Sequence, residues 1–72
     1  MLKVYGKKVC KYCDKVKAFL NENSIEFEYV DITYPCEGRK FILGEGYTSV
    51  PQVFAEDGTY IGNCDETIEQ LS

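Results

Sequence analysis

Four residues, Cys10-Lys11-Tyr12-Cys13, stand between a strand-like run and a helix-like run, and few folds place two thiols that way. Leu2-Lys3-Val4-Tyr5 alternates with the period of two expected of a strand, Leu2 and Val4 on one face and Lys3 and Tyr5 on the other. Gly6-Lys7-Lys8-Val9 reads as a loop, and Val16, Phe19 and Leu20 recur at helical spacing after the motif. The thiols therefore sit where a strand hands over to a helix. A helix N-terminus presents unpaired N–H groups and the positive end of its dipole. A thiolate there is stabilised, so its pKa falls, and the thiolate is the attacking species. Cys13 shares the apolar face of the helix and is expected to be the more buried sulfur. Buried thiols resist ionisation, so Cys10 is expected to attack and Cys13 to resolve. One helical turn apart, the two are close enough to close a disulfide.

A C-x-x-C pair is also half of a tetrahedral zinc site. The chain has no His, so Cys36 and Cys64 would have to supply the other half, and they form no second C-x-x-C. Two inert buried cysteines fit poorly with Lys7, Lys8 and Lys11, which crowd Cys10 with positive charge. Beside a strand-loop-helix pattern, the pair reads as a thioredoxin-like redox motif.

Length allows one domain, residues 1–72. A chain this short buries only about 60% of its unfolded surface, so its core is thin. An apolar content of 44%, with six Tyr and four Phe, suits a globular fold and argues against disorder. No apolar run approaches the ~20 residues that span a bilayer, so no membrane partner is expected. The N-terminus has no signal-peptide shape. Four cysteines without an export signal are read as functional thiols in a reducing compartment, the cytoplasm. The net charge of -4 hides an asymmetry. Residues 1–17 carry six Lys against one Asp, a net of +5; residues 18–72 carry Arg39 and Lys40 against eleven acids, a net of -9. Positive charge at the thiol end steers anionic substrates there. The basic stretch is too short, in too acidic a chain, for a nucleic-acid partner.

The remaining pattern gives the order β-α-β-short α-β-β-α. The first helix runs from near Cys10 to between Asn21 and Asn23, and the second strand over Glu26 to Ile32. A helix between two strands implies a right-handed crossover and a parallel pair. Arg39 to Leu43 is expected to form one to two helical turns, ended by Gly44-Glu45-Gly46. Gln52 to Ala55 and Thr59 to Ile61 read as strands joined by a tight turn at Glu56-Asp57-Gly58. Asp65 or Thr67 opens a last short helix with Ile68 and Leu71 facing inward. Cys36, beside Pro35, reads as a lone surface or packing thiol.

Lys7, the Cys10-Lys11-Tyr12-Cys13 motif, Ser49-Val50-Pro51 and Ile61-Gly62-Asn63-Cys64-Asp65 fall in the order and approximate spacing of a glutaredoxin. The likeness covers nearly the whole chain and most resembles the small bacteriophage-type members, which lack most of the middle helix. It implies an α/β, thioredoxin-like fold: a four-stranded mixed sheet flanked by helices. It implies a cis bond before Pro51, turned against the thiols, with the Val50 backbone free to pair with glutathione. The glutathione set implied is Lys7, Lys11, Tyr12, Val50, Pro51, Asn63, Cys64 and Asp65. Lys7 would meet a carboxylate of glutathione. Backbone N–H groups of the turn at Asn63 to Asp65 would hold the γ-glutamyl carboxylate, and Asp65 its amino group. Two residues depart from the family's pattern. Lys11 replaces a Pro and is expected to lower the Cys10 pKa further. Asn63 replaces a Gly, and is expected to serve because Asn tolerates left-handed backbone. Cys64 is unusual in that turn and is read as a bystander thiol or as a third reactive one.

The implied activity is glutathione-dependent thiol-disulfide exchange on protein disulfides or glutathione mixed disulfides, with Cys10 and Cys13 catalytic. No bound cofactor is expected; glutathione is the co-substrate, and the potential should fall at about -200 to -230 mV. Implied partners are disulfide-bearing proteins, ribonucleotide reductase among them, and a monomer is expected, in the host cytoplasm if the source is viral. Two alternatives stand beside this. The same fold is recharged by thioredoxin reductase in some relatives. The other class is a metal module: zinc on four cysteines, or an iron-sulfur cluster bridging two chains through Cys10 and glutathione, which a bulky Lys11 does not favour.

Overall fold

The computed structural model describes all residues, 1–72. Its elements are β1 (Leu2–Gly6), α1 (Lys11–Glu22), β2 (Phe27–Asp31), α2 (Glu37–Gly44), β3 (Gln52–Phe54), β4 (Tyr60–Gly62) and α3 (Cys64–Leu71). The strands form one mixed sheet in the order β2-β1-β3-β4. β1 and β2 run parallel, Leu2 opposite Phe27 through Gly6 opposite Asp31, as the intervening helix demands. β3 lies antiparallel to β1 with Val4 opposite Val53, and β4 antiparallel to β3.

The sheet is covered on both faces, and its alternation shows how. Val4 and Val53 point to the face where α1 and α3 pack, and join Val16, Leu20 and Cys64 in one core cluster. Tyr5 and Phe54, each one residue on, point to the other face and join Ile32 and Ile42 beneath α2. Both faces of β1 are therefore apolar at its centre, although the alternation alone marks Tyr5 as lying opposite the Leu2 and Val4 side.

Every expected element is present; each strand end that moved did so by one residue, Gly6 closing β1 rather than opening the loop, and the helix starts moved at their caps. α1 starts at Lys11 because Cys10 is its N-cap, with extended backbone. α2 begins two residues earlier than its apolar run suggests, because the Cys36 sulfur accepts the Arg39 N–H at 3.4 Å. Cys36 is thus an exposed capping thiol. α3 opens at Cys64 rather than at Asp65 or Thr67. Asn63 and Glu66 form a capping box: Glu66 N–H donates to Asn63 Oδ1 at 3.0 Å and Asn63 N–H to Glu66 Oε1 at 3.1 Å. Asn63 is therefore not left-handed, contrary to the expectation; its φ is -82°, and Gly62 before it takes the positive φ of 145°.

Ile68 and Leu71 are half-buried on α3, while Thr67 is completely buried and its hydroxyl has no hydrogen-bond partner. An unpaired buried hydroxyl costs about 1–3 kcal/mol. Thr67→Val keeps the shape and removes that group. It should raise stability by about 1 kcal/mol, read as a thermal midpoint about 5 °C higher. A lowered midpoint would show that the hydroxyl is satisfied.

Candidate active site

The end of β1, the start of α1, the turn into β3 and the start of α3 converge at one edge of the molecule. Cys10 and Cys13 form a disulfide there, their Cα atoms 5.1 Å apart. Cys13 is fully buried and Cys10 half-buried, as the apolar stripe of α1 predicts. Cys10 Sγ accepts the Cys13 N–H at 3.1 Å. After reduction the same N–H faces a thiolate, and a hydrogen bond to a charged acceptor is stronger than to a neutral one. The helix dipole acts in the same direction. These features lower the cost of ionising Cys10, and none of them reaches the interior sulfur in the same way.

The loop before the disulfide is pinned from β2 and the segment after it. Tyr29 Oη donates to the Lys7 carbonyl at 2.7 Å, and Lys8 N–H donates to Thr33 Oγ1 at 2.9 Å. The Lys8 ammonium lies 5.1 Å from the centroid of the Tyr34 ring, and Val9 is 97% exposed at the loop tip. Gly6, at the base of the loop, leaves its side-chain space to others. A Cβ placed there would come within 2.8 Å of Cys13 Sγ and would also strike the Tyr29 hydroxyl.

The Val50–Pro51 peptide is cis, and Pro51 is buried. Buried Gln52 braces this turn, donating to the Ser49 carbonyl at 2.9 Å while accepting from Tyr60 Oη at 2.6 Å. Beside the turn runs a groove of about 160 Å³ lined by Tyr12, Val50, Pro51, Asn63, Cys64 and Asp65. At its α3 end the Glu66 N–H is taken by Asn63 Oδ1, which leaves the Cys64 and Asp65 N–H groups to favour an anion. A second hollow of about 70 Å³ shares Val50 and is bordered by Lys7, Arg39, Thr48 and Ser49.

Six of the eight residues read from the sequence as a glutathione set thus line one groove. Lys7 borders the neighbouring hollow. Lys11 is exposed on the first turn of α1 and lines neither. Sequence reasoning missed Arg39, which joins Lys7 in the second hollow. Its signal was present, since Arg39 and Lys40 are the only cations after residue 17. Gln52 was missed because a buried Gln on a short strand looks like any other strand residue. Cys64 is buried in the core of the α1–α3 face, and burial pushes its thiol pKa up, with Lys15 acting against this and Asp65 with it. Burial and a raised pKa both favour the neutral thiol over the thiolate there.

The four-cysteine zinc reading finds no donor set, since no three His, Cys, Asp or Glu side chains gather at one place. No helix is long and apolar enough to cross a membrane.

The sequence matches the family model described as Glutaredoxin over residues 2–61. Glutaredoxin 3 of Escherichia coli K12 is 35% identical over 66 residues, which span 90% of this chain and 78% of that protein. Among solved structures, a buckwheat glutaredoxin-glutathione complex superposes with a TM-score of 0.80 at 27% identity, covering 97% of this chain and 66% of that one. A thioredoxin-like protein, BC3987, superposes at 0.81 with 28% identity over the full length of both chains. This chain carries a C-x-x-C disulfide on a strand-loop-helix, a buried Pro turn and a capped helix start across a groove. Together with these matches they show that the chain belongs to the glutaredoxin family of thiol-disulfide oxidoreductases.

Proposed function

We propose that the protein reduces protein disulfides and glutathione mixed disulfides with glutathione as the reductant, Cys10 acting as nucleophile and Cys13 as resolving thiol. The observation that carries this is the groove beside the disulfide, where Tyr12, the Val50–Pro51 turn and the start of α3 face one another. It offers a tripeptide an extended backbone at Val50, free N–H groups for a carboxylate at α3, and the Asp65 carboxylate for an amino group. Lys7 and Arg39 supply positive charge for a second carboxylate. The buckwheat relative is described as a complex with glutathione, which suits the same use of the groove.

The Cys10 thiolate attacks one sulfur of a substrate disulfide. The S–S bond breaks, the leaving thiolate takes a proton, and Cys10 carries the mixed disulfide. Two routes then close the cycle. Cys13, once ionised, attacks Cys10 Sγ and expels the second thiol, leaving the Cys10–Cys13 disulfide; or a glutathione thiolate attacks the mixed disulfide directly. Two glutathione molecules, oxidised to their disulfide, return two electrons to the protein. With no His in the chain, ionisation relies on the helix end and nearby lysines. The exposed Val9 and Tyr12 flank Cys10 and form the surface a protein substrate meets. Ribonucleotide reductase is one such substrate, and a monomer in the cytoplasm suits this role.

The deciding assay is turnover of a small glutathionyl mixed disulfide, recycled either by glutathione with glutathione reductase or by thioredoxin reductase alone. Turnover with glutathione supports the proposal. Turnover only with thioredoxin reductase favours the second reading, which the full-length match to a thioredoxin-like protein recommends. Lys7→Gln should raise the KM for glutathione about fivefold with kcat unchanged, the size of one partly exposed ion pair worth about 1 kcal/mol. An unchanged KM would remove Lys7 from the site.

A further inference from the structure

The buried sulfur poses a problem that the outer one does not. Cys13 is fully buried, and burial disfavours a thiolate. Yet Cys13 must ionise to expel the thiol held by Cys10. Across the bare Cα of Gly6 from Cys13 lies one polar side chain, Tyr29. A Cβ at Gly6 would meet Cys13 Sγ at 2.8 Å and the Tyr29 hydroxyl closer still, so sulfur and oxygen are separated by less than twice 2.8 Å. The Lys17 ammonium lies over the Tyr29 ring, 4.1 Å from its centroid.

We propose that Tyr29 is a positioning residue for the resolving step, its hydroxyl turning from the Lys7 carbonyl to the Cys13 sulfur as that sulfur ionises. This rests on the reading of Cys13 as resolving thiol. A phenol has one proton to donate. In the disulfide form the Cys13 sulfur carries no charge, and the proton goes to Lys7 O at 2.7 Å. A thiolate is a charged acceptor, and charge-assisted hydrogen bonds are roughly twice as strong as neutral ones. The proton therefore follows the redox state. Burial pushes the Tyr29 pKa up, with Asp31 and Asp14 adding to it, so the hydroxyl keeps its proton at neutral pH.

The charges facing this pocket are few. From α1 they are Lys17 and its partner Asp14, 3.5 Å away. From β2 there are Tyr29 and Asp31. From α3 there is Cys64, a neutral thiol, with Asp65 and Lys15 acting on it. β1 presents the backbone of Gly6, and Lys8, in the loop after it, acts on Asp31. In the step itself, the Cys13 thiol loses its proton, the thiolate pair forms the bond to Cys10 Sγ, and the S–S pair leaves on the departing sulfur, which takes up a proton, so that none is gained or lost overall. Tyr29 transfers no proton to another residue; it stabilises the charge and aims it.

Stopped-flow mixing of the reduced protein with a fluorescent glutathione disulfide separates the two events. The first phase is attack by Cys10, the second release of the remaining thiol by Cys13. Tyr29→Phe should leave the first phase within twofold, slow the second about tenfold at neutral pH, and move its pH midpoint upward. An unchanged second phase overturns the proposal. Equal slowing of both phases overturns it too, since Tyr29 would then merely hold the Lys7 loop. A wild type with no second phase removes the resolving role of Cys13 and the inference with it, whereas an unchanged second phase in the variant leaves that role intact.

Discussion

Cys10→Ser should abolish turnover of a glutathionyl mixed disulfide, by a factor on the order of 10³ or more, because the nucleophile itself is gone. Cys13→Ser should keep much of that turnover and lose reduction of protein disulfides. The difference follows from where the two sulfurs lie. Cys10 is half-buried at the N-cap of α1, accepts the Cys13 N–H at 3.1 Å, and stands two residues before Tyr12, which lines the groove. A hydroxyl in its place has a pKa far above a thiol's and offers no comparable nucleophile. Cys13 has no exposed surface, and it faces Cys10 on one side and Gly6 with Tyr29 on the other. It acts on the mixed disulfide from within, and a second glutathione does the same work from solvent when the bound thiol is glutathione. With a protein substrate, that outside route is crowded by the partner, so the internal thiol matters. Steady-state rates on the two substrate types, for both variants, check this. Cys10→Ser retaining activity, or Cys13→Ser losing activity on both substrates alike, would reverse the assignment.

Much of this could be read before any coordinates, and the reasons are local. The C-x-x-C between a strand pattern and a helix pattern locates the disulfide, and the stripe of Val16, Phe19 and Leu20 tells which sulfur is inside. The parallel pair of β1 and β2 follows from the helix between them. What stayed hidden was set by contacts distant in sequence or by caps. The Cys36 sulfur starts α2 two residues before its apolar run, and a cysteine cap carries no familiar signal. The Asn63–Glu66 capping box was legible as a spacing, yet Asn63 read as a left-handed turn residue, a role the structure gives to Gly62. Six of the groove residues were named because a resemblance supplied them; composition and periodicity alone point to none except the cysteines. Arg39 and Tyr29 enter the site through tertiary packing, Arg39 from α2 and Tyr29 from β2; the scarcity of cations after residue 17 marks Arg39, and no local pattern announces Tyr29.

Gly6→Ala is expected to damage both the fold and the chemistry with a single methyl. Gly6 ends β1 in ordinary extended backbone, so alanine suffers no conformational penalty there. The penalty is space. Its Cβ would lie 2.8 Å from Cys13 Sγ and overlap the Tyr29 hydroxyl. Neither neighbour yields cheaply. Cys13 has a one-atom side chain beyond Cβ, so moving its sulfur means shifting the first turn of α1, whose next turns pack Val16 and Leu20 into the core. The Tyr29 hydroxyl is tied to the Lys7 carbonyl and its ring lies under Lys17. Overpacking of this kind costs about 2 kcal/mol, which in a domain this size lowers the thermal midpoint by about 8–15 °C. The larger consequence falls on the chemistry, because the displaced atoms are the resolving sulfur and the hydroxyl that faces it. Gly6→Ala should therefore slow closure of the Cys10–Cys13 disulfide more than it slows attack by Cys10. Thermal melts and the two-phase thiol-release assay measure the two effects separately. A midpoint within about 2 °C of wild type would show that the loop gives way easily, and the tight meeting of Gly6, Cys13 and Tyr29 would then constrain neither fold nor reaction.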